Sequence, residues 1–139
     1  MKKETRHIFD GWFSITLPGE WGYHNDEEVL NIYSNKNAFG VIQISFFHKD
    51  DSQDIIKIAN DQLDRFIAQY RINIDIITRK ILEAPSYTVA IASGEYNGDF
   101  IKIWVLVNEL KMLLITYISP KKSREISKVE DIIYSINFL

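Results

Sequence analysis

The stretch YTVAIASGEYNGDFIKIWVLV, Tyr87 to Val107, decides the fold. Two apolar runs flank Asn97-Gly98. Asn-Gly is the strongest short-range signal for a β-hairpin, because a two-residue type I′ turn needs positive φ at both positions. Tyr87–Tyr96 and Phe100–Val107 are therefore predicted to pair as antiparallel strands. Both are nearly continuous in apolar residues. A sheet wet on one side alternates apolar with polar, whereas a sheet covered on both sides need not. The central sheet is expected to have both faces covered.

Reading outward, the chain turns at Asn108 to Lys111, and Met112–Ile118 returns as a strand that Ser119-Pro120 stops. Ser123 is placed to cap a closing helix with Ile126, Val129, Ile133 and Ile136 along one side. Upstream, Ile74–Leu82 reads as a strand whose charges suit an edge, broken at Ala84-Pro-Ser86. Before it, Asp50-Asp-Ser-Gln-Asp54 starts a helix, with Ser52 as the N-cap and Asp54 in the first turn, where the dipole favours a negative charge. Ile56, Ala59, Leu63, Phe66, Ile67 and Tyr70 recur at three- and four-residue steps and form one apolar stripe over about five turns.

In the N-terminal third, Gly40–Phe47 is a predicted strand with Ile42, Ile44 and Phe46 on one face. Asn35-Lys-Asn37 is a turn, and Val29, Leu30, Ile32 and Tyr33 form a short strand. Tyr23-His-Asn-Asp-Glu-Glu28 reads as a polar loop. Phe13, Ile15 and Leu17 alternate with Ser14 and Thr16, the mark of a half-buried strand. Pro18 lacks an N–H and Gly19 tolerates positive φ, so the strand stops there and Trp21 folds back over its end. Trp12 and Trp21 are read as packing residues.

The order is thus βββ-α-ββββ-α. It predicts an α+β fold with an antiparallel sheet of about six to seven strands sandwiched between two helices, a three-layer α/β/α arrangement. At 139 residues, 1–139 is expected to be one domain. Hydrophobic residues make up 46% and charged residues 25%, enough apolar surface for a core without staples. Cysteine is absent, which removes disulfides, thiolate metal sites and cysteine nucleophiles. Residues 1–64 carry six Lys/Arg against eleven Asp/Glu, and residues 65–139 carry ten against eight. Neither half is basic enough for a surface that tracks phosphates, so no nucleic acid is expected as a partner. No apolar run reaches the ~18 residues that span a bilayer, and MKKETRHIFDGW has no apolar stretch after its lysines. The expectation is a cytoplasmic protein without a membrane partner.

The strand closed by Leu17-Pro-Gly-Glu-Trp21, the Gly40-Val-Ile-Gln-Ile-Ser45 strand before the long helix, the Asn97-Gly98 hairpin and a closing helix ending in Tyr134-Ser-Ile-Asn137 together resemble the PsbP-like superfamily. That fold is shared by the extrinsic photosystem II subunit PsbP, the yeast Ran nucleotide-release factor and bacterial chaperones of type VI secretion effectors. The bacterial members to which this chain is most similar are small single-domain proteins with no assigned activity. The resemblance implies a sheet between helices and implies binding work. It carries no shared catalytic motif onto these residues.

Several clusters carry residue types suited to chemistry. His24 with Asn25, Asp26, Glu27 and Glu28 offers oxygen and imidazole ligands, but a hard-cation site needs convergence, and neighbouring residues point apart. A solvated acidic loop is the simpler reading. His48, Asp50, Asp51 and Asp54 are explained by their place at a helix start. No Gly-x-Ser-x-Gly elbow accompanies His7, His24 or His48, and no phosphate-binding glycine loop occurs. Lys121, Lys122 and Arg124 are a small basic cluster at a helix start, read as solvated.

Tyr23, Tyr33, Tyr87, Tyr96 and Tyr134 remain, and tyrosine is enriched at interfaces. Tyr134 falls off the apolar stripe of its helix, and Tyr96 flanks the hairpin tip. The expectation is a non-catalytic protein-binding module, an adaptor, chaperone or immunity-like protein, acting as monomer or homodimer without metal or cofactor. Its candidate contact residues are Tyr23, His24, Asp26, Glu27, Glu28, Tyr96 and Tyr134. The alternative is a small-ligand binder or minor hydrolase using a pocket between the sheet and the long helix.

Overall fold

The Asn97-Gly98 turn closes one end of a long antiparallel ladder. In the computed structural model, which describes residues 3–36, 39–50 and 54–139, Asn97 and Gly98 have φ of +50° and +85°. Strands β7 (Tyr87–Tyr96) and β8 (Asp99–Val107) pair from Tyr96↔Asp99 to Thr88↔Val107. The remaining elements, in chain order, are β1 (Thr5–Phe9), β2 (Phe13–Leu17), β3 (Trp21–Asp26), β4 (Val29–Ser34), β5 (Val41–His48), α1 (Ile55–Tyr70) and β6 (Asn73–Ala84) before the hairpin. After it come β9 (Lys111–Ser119), α2 (Glu125–Tyr134) and β10 (Asn137–Phe138).

The fold is α+β. Seven strands form one antiparallel sheet in the order β3-β4-β5-β9-β8-β7-β6, and β1-β2-β10 form a second, small sheet. The order differs from βββ-α-ββββ-α. Five strands precede α1 instead of three, and one more follows α2. The segment read as a polar loop at 23–28 is the edge strand β3, paired with β4 from Trp21↔Ser34 to Asp26↔Val29. It is polar because an edge strand has a neighbour on one side only, and most of its side chains meet solvent. Strands β1 and β10 are short and mostly exposed, so neither leaves an apolar pattern to read.

The Pro18-Gly19 turn is closed by Trp21 N–H donating to Pro18 O at 2.9 Å. It delivers Trp21, buried, into the same core as Leu17. Helix α1 starts two residues later than expected. Asp54 is itself the N-cap, its Oδ1 accepting from Lys57 N–H at 3.0 Å, while Ser52 lies outside the described residues. The N-cap of α2 is Arg124, without a side-chain cap bond, and Ser123, expected there, stands one residue earlier and accepts from Glu125 N–H at 3.2 Å.

Two apolar clusters flank the large sheet. On one face, Phe13, Ile15 and Leu17 of β2 and Ile126, Val129, Ile132 and Ile133 of α2 pack on Ile32, Ile42, Ile44, Trp104, Ile115 and Tyr117. On the other, α1 sets Ala59, Leu63, Phe66 and Ile67 against Ala90, Ala92, Ile101, Ile103 and Val105. Helix α1 packs mainly on β7 and β8, with lesser contact to β6. Helix α1 thus covers β6 to β8 on its face, and the expectation of a sheet covered on both faces throughout is not met. Among the described residues, no helix lies over β3–β5 on the α1 side. Among the described residues no helix is long and apolar enough to cross a membrane.

Edge strand β6 carries an irregularity between Asp75 and Lys80. Thr78 repairs the ladder there: its Oγ accepts from Ser93 N–H at 2.9 Å and donates to Asp75 O at 2.6 Å. Arg79 anchors it to α1 through Asp64 and Asn60, each at 2.7 Å. The backbones approach so closely that a Cβ on Gly94 would stand 2.0 Å from Asn73 O.

Candidate functional site

Strand alternation explains what the uncovered half-face presents. Register places His24 opposite Asn31, Asn31 opposite Gln43 and Gln43 opposite Thr116, so these four share one face in a row across β3, β4, β5 and β9. Gln43 Nε2 donates to Asn31 Oδ1 at 3.0 Å. One step along β5, Ser45 and Phe47 occupy the same face, while Ile42 and Ile44 point into the opposite core.

Where this polar face meets the flank of α1, a groove of about 520 Å³ opens. Gln43, Ser45 and Thr116 line its sheet side, Phe66, Gln69 and Tyr70 its helix side, and Tyr96 and Ile101 one wall. The aromatic wall is ordered by ring contacts, Phe66 to Tyr70 at 4.7 Å and Tyr70 to Tyr96 at 6.3 Å. Phe47 and Tyr70 remain 42% and 44% exposed at the rim, large rings left partly in water.

A second groove, about 590 Å³, adjoins the first and shares Val29, Ser45 and Phe47 with it. Phe9, Trp12 and Phe46 form aromatic walls, and Asp10, Glu27 and Glu28 stand around it. Trp12 lies 5.3 Å from Phe46 and 4.4 Å from His48, ring centre to ring centre. Glu27 holds φ at +45° in the β3–β4 turn.

The seven expected contact residues do not form one site. Tyr96 lines the first groove, and Glu27 and Glu28 line the second. His24 lies in the polar row of the open face, and register puts Asp26 on that face too, opposite Val29. Tyr23 points the other way, its ring 5.0 Å from His7 and 5.4 Å from Phe9. Tyr134 sits on α2 beside the Trp104 indole N–H; partial burial pushes its phenol up, and the indole N–H pulls it back somewhat. Burial also raises the Tyr87 phenol, with Tyr134 adding to the shift. Among the described residues no group of three or more His, Asp or Glu converges to hold a metal ion.

Gln43, Ser45, Phe47, Tyr70 and Trp12 were not among the expected residues. One signal for Gln43 and Ser45 lies in β5 itself. These polar residues alternate with Ile42, Ile44 and Phe46, and such alternation marks a face that meets water.

The fold so defined is a seven-stranded antiparallel sheet with one helix on the β6–β8 half of one face and a helix plus a small sheet on the other. No protein-family model matches the sequence, and no curated protein matches it. Among solved structures the chain is similar to a protein of Bacteroides thetaiotaomicron VPI-5482, known from a crystal structure at 1.50 Å resolution. The TM-score is 0.70 and the sequence identity 17%, with 100% of this chain and 49% of that one covered. At that identity the likeness shows the fold alone. This chain spans about half the length of that protein.

Proposed function

We propose that the chain is a non-catalytic protein-binding module that receives an extended polypeptide segment in the groove between α1 and the uncovered half of the sheet. The observation that carries this reading is the groove's composition: Gln43, Ser45 and Thr116 on the sheet and Phe66 and Tyr70 on the helix, with Gln43, Phe47 and Tyr70 open to solvent. Side-chain amides and hydroxyls suit a peptide backbone, and half-exposed rings suit its apolar side chains. The resemblance to the PsbP-like superfamily belongs to the same reading, as does the three-layer α/β/α description with α1 and α2 on opposite faces. Both favour docking over catalysis, and fold likeness by itself assigns neither.

The test is selection from a displayed library of random linear peptides, followed by titration of the enriched peptides. Enriched peptides should bind the wild type and lose at least tenfold in affinity to Gln43→Trp and Ser45→Trp, which fill the groove. Lys128→Trp on α2 should bind as the wild type does. Enrichment of nothing, or binding indifferent to the two groove variants, overturns the reading. The groove's volume also falls in the range of small-ligand sites. Saturable binding of a small apolar compound there, with no peptide enriched, would favour that occupant instead.

A further inference from the structure

We infer that the segment bound in the first groove is proline-rich and lies there as a polyproline II helix, an inference that rests on the peptide-groove reading and names its occupant. The floor of the groove points to it. Gln43 on β5 is paired with Asn31 of β4 on one side and with Thr116 of β9 on the other, and Thr116 is paired in turn with Ile103 of β8. The groove therefore lies over the interior of the sheet, where backbone N–H and C=O groups are already used in the ladders. A ligand cannot be added there as a further strand, because strand addition needs an open edge. An ordinary extended peptide would bring one N–H per residue over a surface that answers only through side chains, and an N–H left dry is costly. Proline has no N–H to satisfy. Its carbonyl needs a donor, and donors are present: Gln43 keeps one N–H beyond the one it gives to Asn31 Oδ1 at 3.0 Å, and Gln69 and Tyr70 stand on the helix side.

The walls agree with the floor. The Tyr70 and Tyr96 rings stand 6.3 Å apart at 89° to one another and form a corner, with the Phe66 ring 4.7 Å from Tyr70. Pyrrolidine rings are compact and apolar and dock on aromatic-lined grooves of this kind. The polyproline II form is already populated by the free segment, so little order is added on docking. Charge separates the candidates further. Among the described residues, none that line this groove is charged. An acidic or basic segment would give up hydration there without meeting a counter-charge, whereas a proline side chain has no charge to desolvate.

The test is an NMR titration of the ¹⁵N-labelled full chain with acetyl-hexaproline amide and, separately, acetyl-(Thr-Val)₃ amide, both uncharged and of equal length. The proline probe should shift the Gln43 and Gln69 side-chain amides saturably, and at least tenfold more tightly than the Thr-Val probe. Its affinity should change less than twofold between about 50 and 500 mM NaCl, since no charge pair is screened. Gln43→Trp, which fills the groove, should abolish the shifts. Tyr70→Ala, at the exposed end of α1, should weaken binding at least tenfold and serves as the second variant should the first lose its dispersed spectrum. Equal affinity for the two probes, or shifts that persist in the variants, overturn the assignment. If library peptides without proline bind the groove and the proline probe does not, the groove stands and the proline assignment fails. If neither the library nor either probe binds, both readings fail.

Discussion

Replacing Tyr117 by Phe removes one hydroxyl and little else, and the structure says what that hydroxyl does at two pH values. Tyr117 is fully buried on β9, and its OH donates to Glu125 Oε1 at 2.7 Å. The same oxygen accepts from Gly40 N–H at 3.0 Å, so one carboxylate ties β9, α2 and the start of β5 together. A hydrogen bond to a charged group is worth about 2 kcal/mol net, and Tyr117→Phe should cost about that much at pH 7.

The cost should shrink in alkali. Burial, then the bond to Glu125, raises the Tyr117 phenol well above its ordinary 10.0. Above pH 10 the unfolded phenol ionises while the folded one stays protonated. The folded state then binds more protons, so stability falls as pH rises, by about 1.4 kcal/mol per unit. At pH 11 the wild type should keep about 0.6 kcal/mol of its advantage. Tyr87 and Tyr134, also raised, are present in both proteins and cancel from the difference. Urea unfolding followed by tryptophan fluorescence, run on both proteins between pH 7 and 11, measures it. A stability difference constant across that range would refute the reasoning.

Two further substitutions probe the frame that holds the grooves. Gly94→Ala should destabilise by about 3 kcal/mol or more, because its Cβ would press on the Asn73 backbone, which no rotamer change relieves. Thermal unfolding measures it, and a loss below about 1 kcal/mol would contradict the close approach of β6 to β7. Arg71→Gly should stabilise by about 0.5 kcal/mol, since Arg71 ends α1 in the left-handed region at φ 53° and ψ 47°. The urea midpoint should rise, and a fall would mean that the Arg71 side chain stabilises the helix end by more than the backbone strain costs.

The hairpin and both helices were legible because each rests on local rules. Asn97-Gly98 admits few conformations, and Ala59, Leu63, Phe66 and Ile67 repeat with one period, although Ile56, read into the same stripe, is exposed and Ile55 and Ile58 face the core instead. Strand β3 was not legible, because Tyr23 to Glu28 carry the composition of a loop, and only the pairing with Val29–Ser34 makes them a strand. The acidic turn was legible as an acidic turn and no more. Its neighbours in space, Trp12, Phe46 and Phe47, are brought beside it where the small sheet packs on the large one. No spacing in the sequence encodes a contact between β2 and β5. Tyr134 illustrates the converse. It was correctly placed off the apolar stripe, yet being exposed did not bring it near either groove.

The open half-face follows from widths. Seven strands at ~4.8 Å spacing span about 29 Å from edge to edge, whereas a helix with its side chains covers about 10 to 12 Å. On the face of α2 the deficit is met by the small sheet, whose Phe13, Ile15 and Leu17 share the core with Ile126 and Val129. On the face of α1, no second element among the described residues meets it. Position by position, the residues there agree with water or a polar occupant, not with a packed helix. Asn31, Gln43 and Ser45 stand where such a helix would require apolar side chains. Phe47 and Tyr70 at the rim go against that pattern, since the exposed part of two large rings gains no burial in the free protein. A polar floor beneath apolar rims keeps the free protein folded and still leaves apolar area to bury on contact, and that combination favours a bound chain over a missing layer.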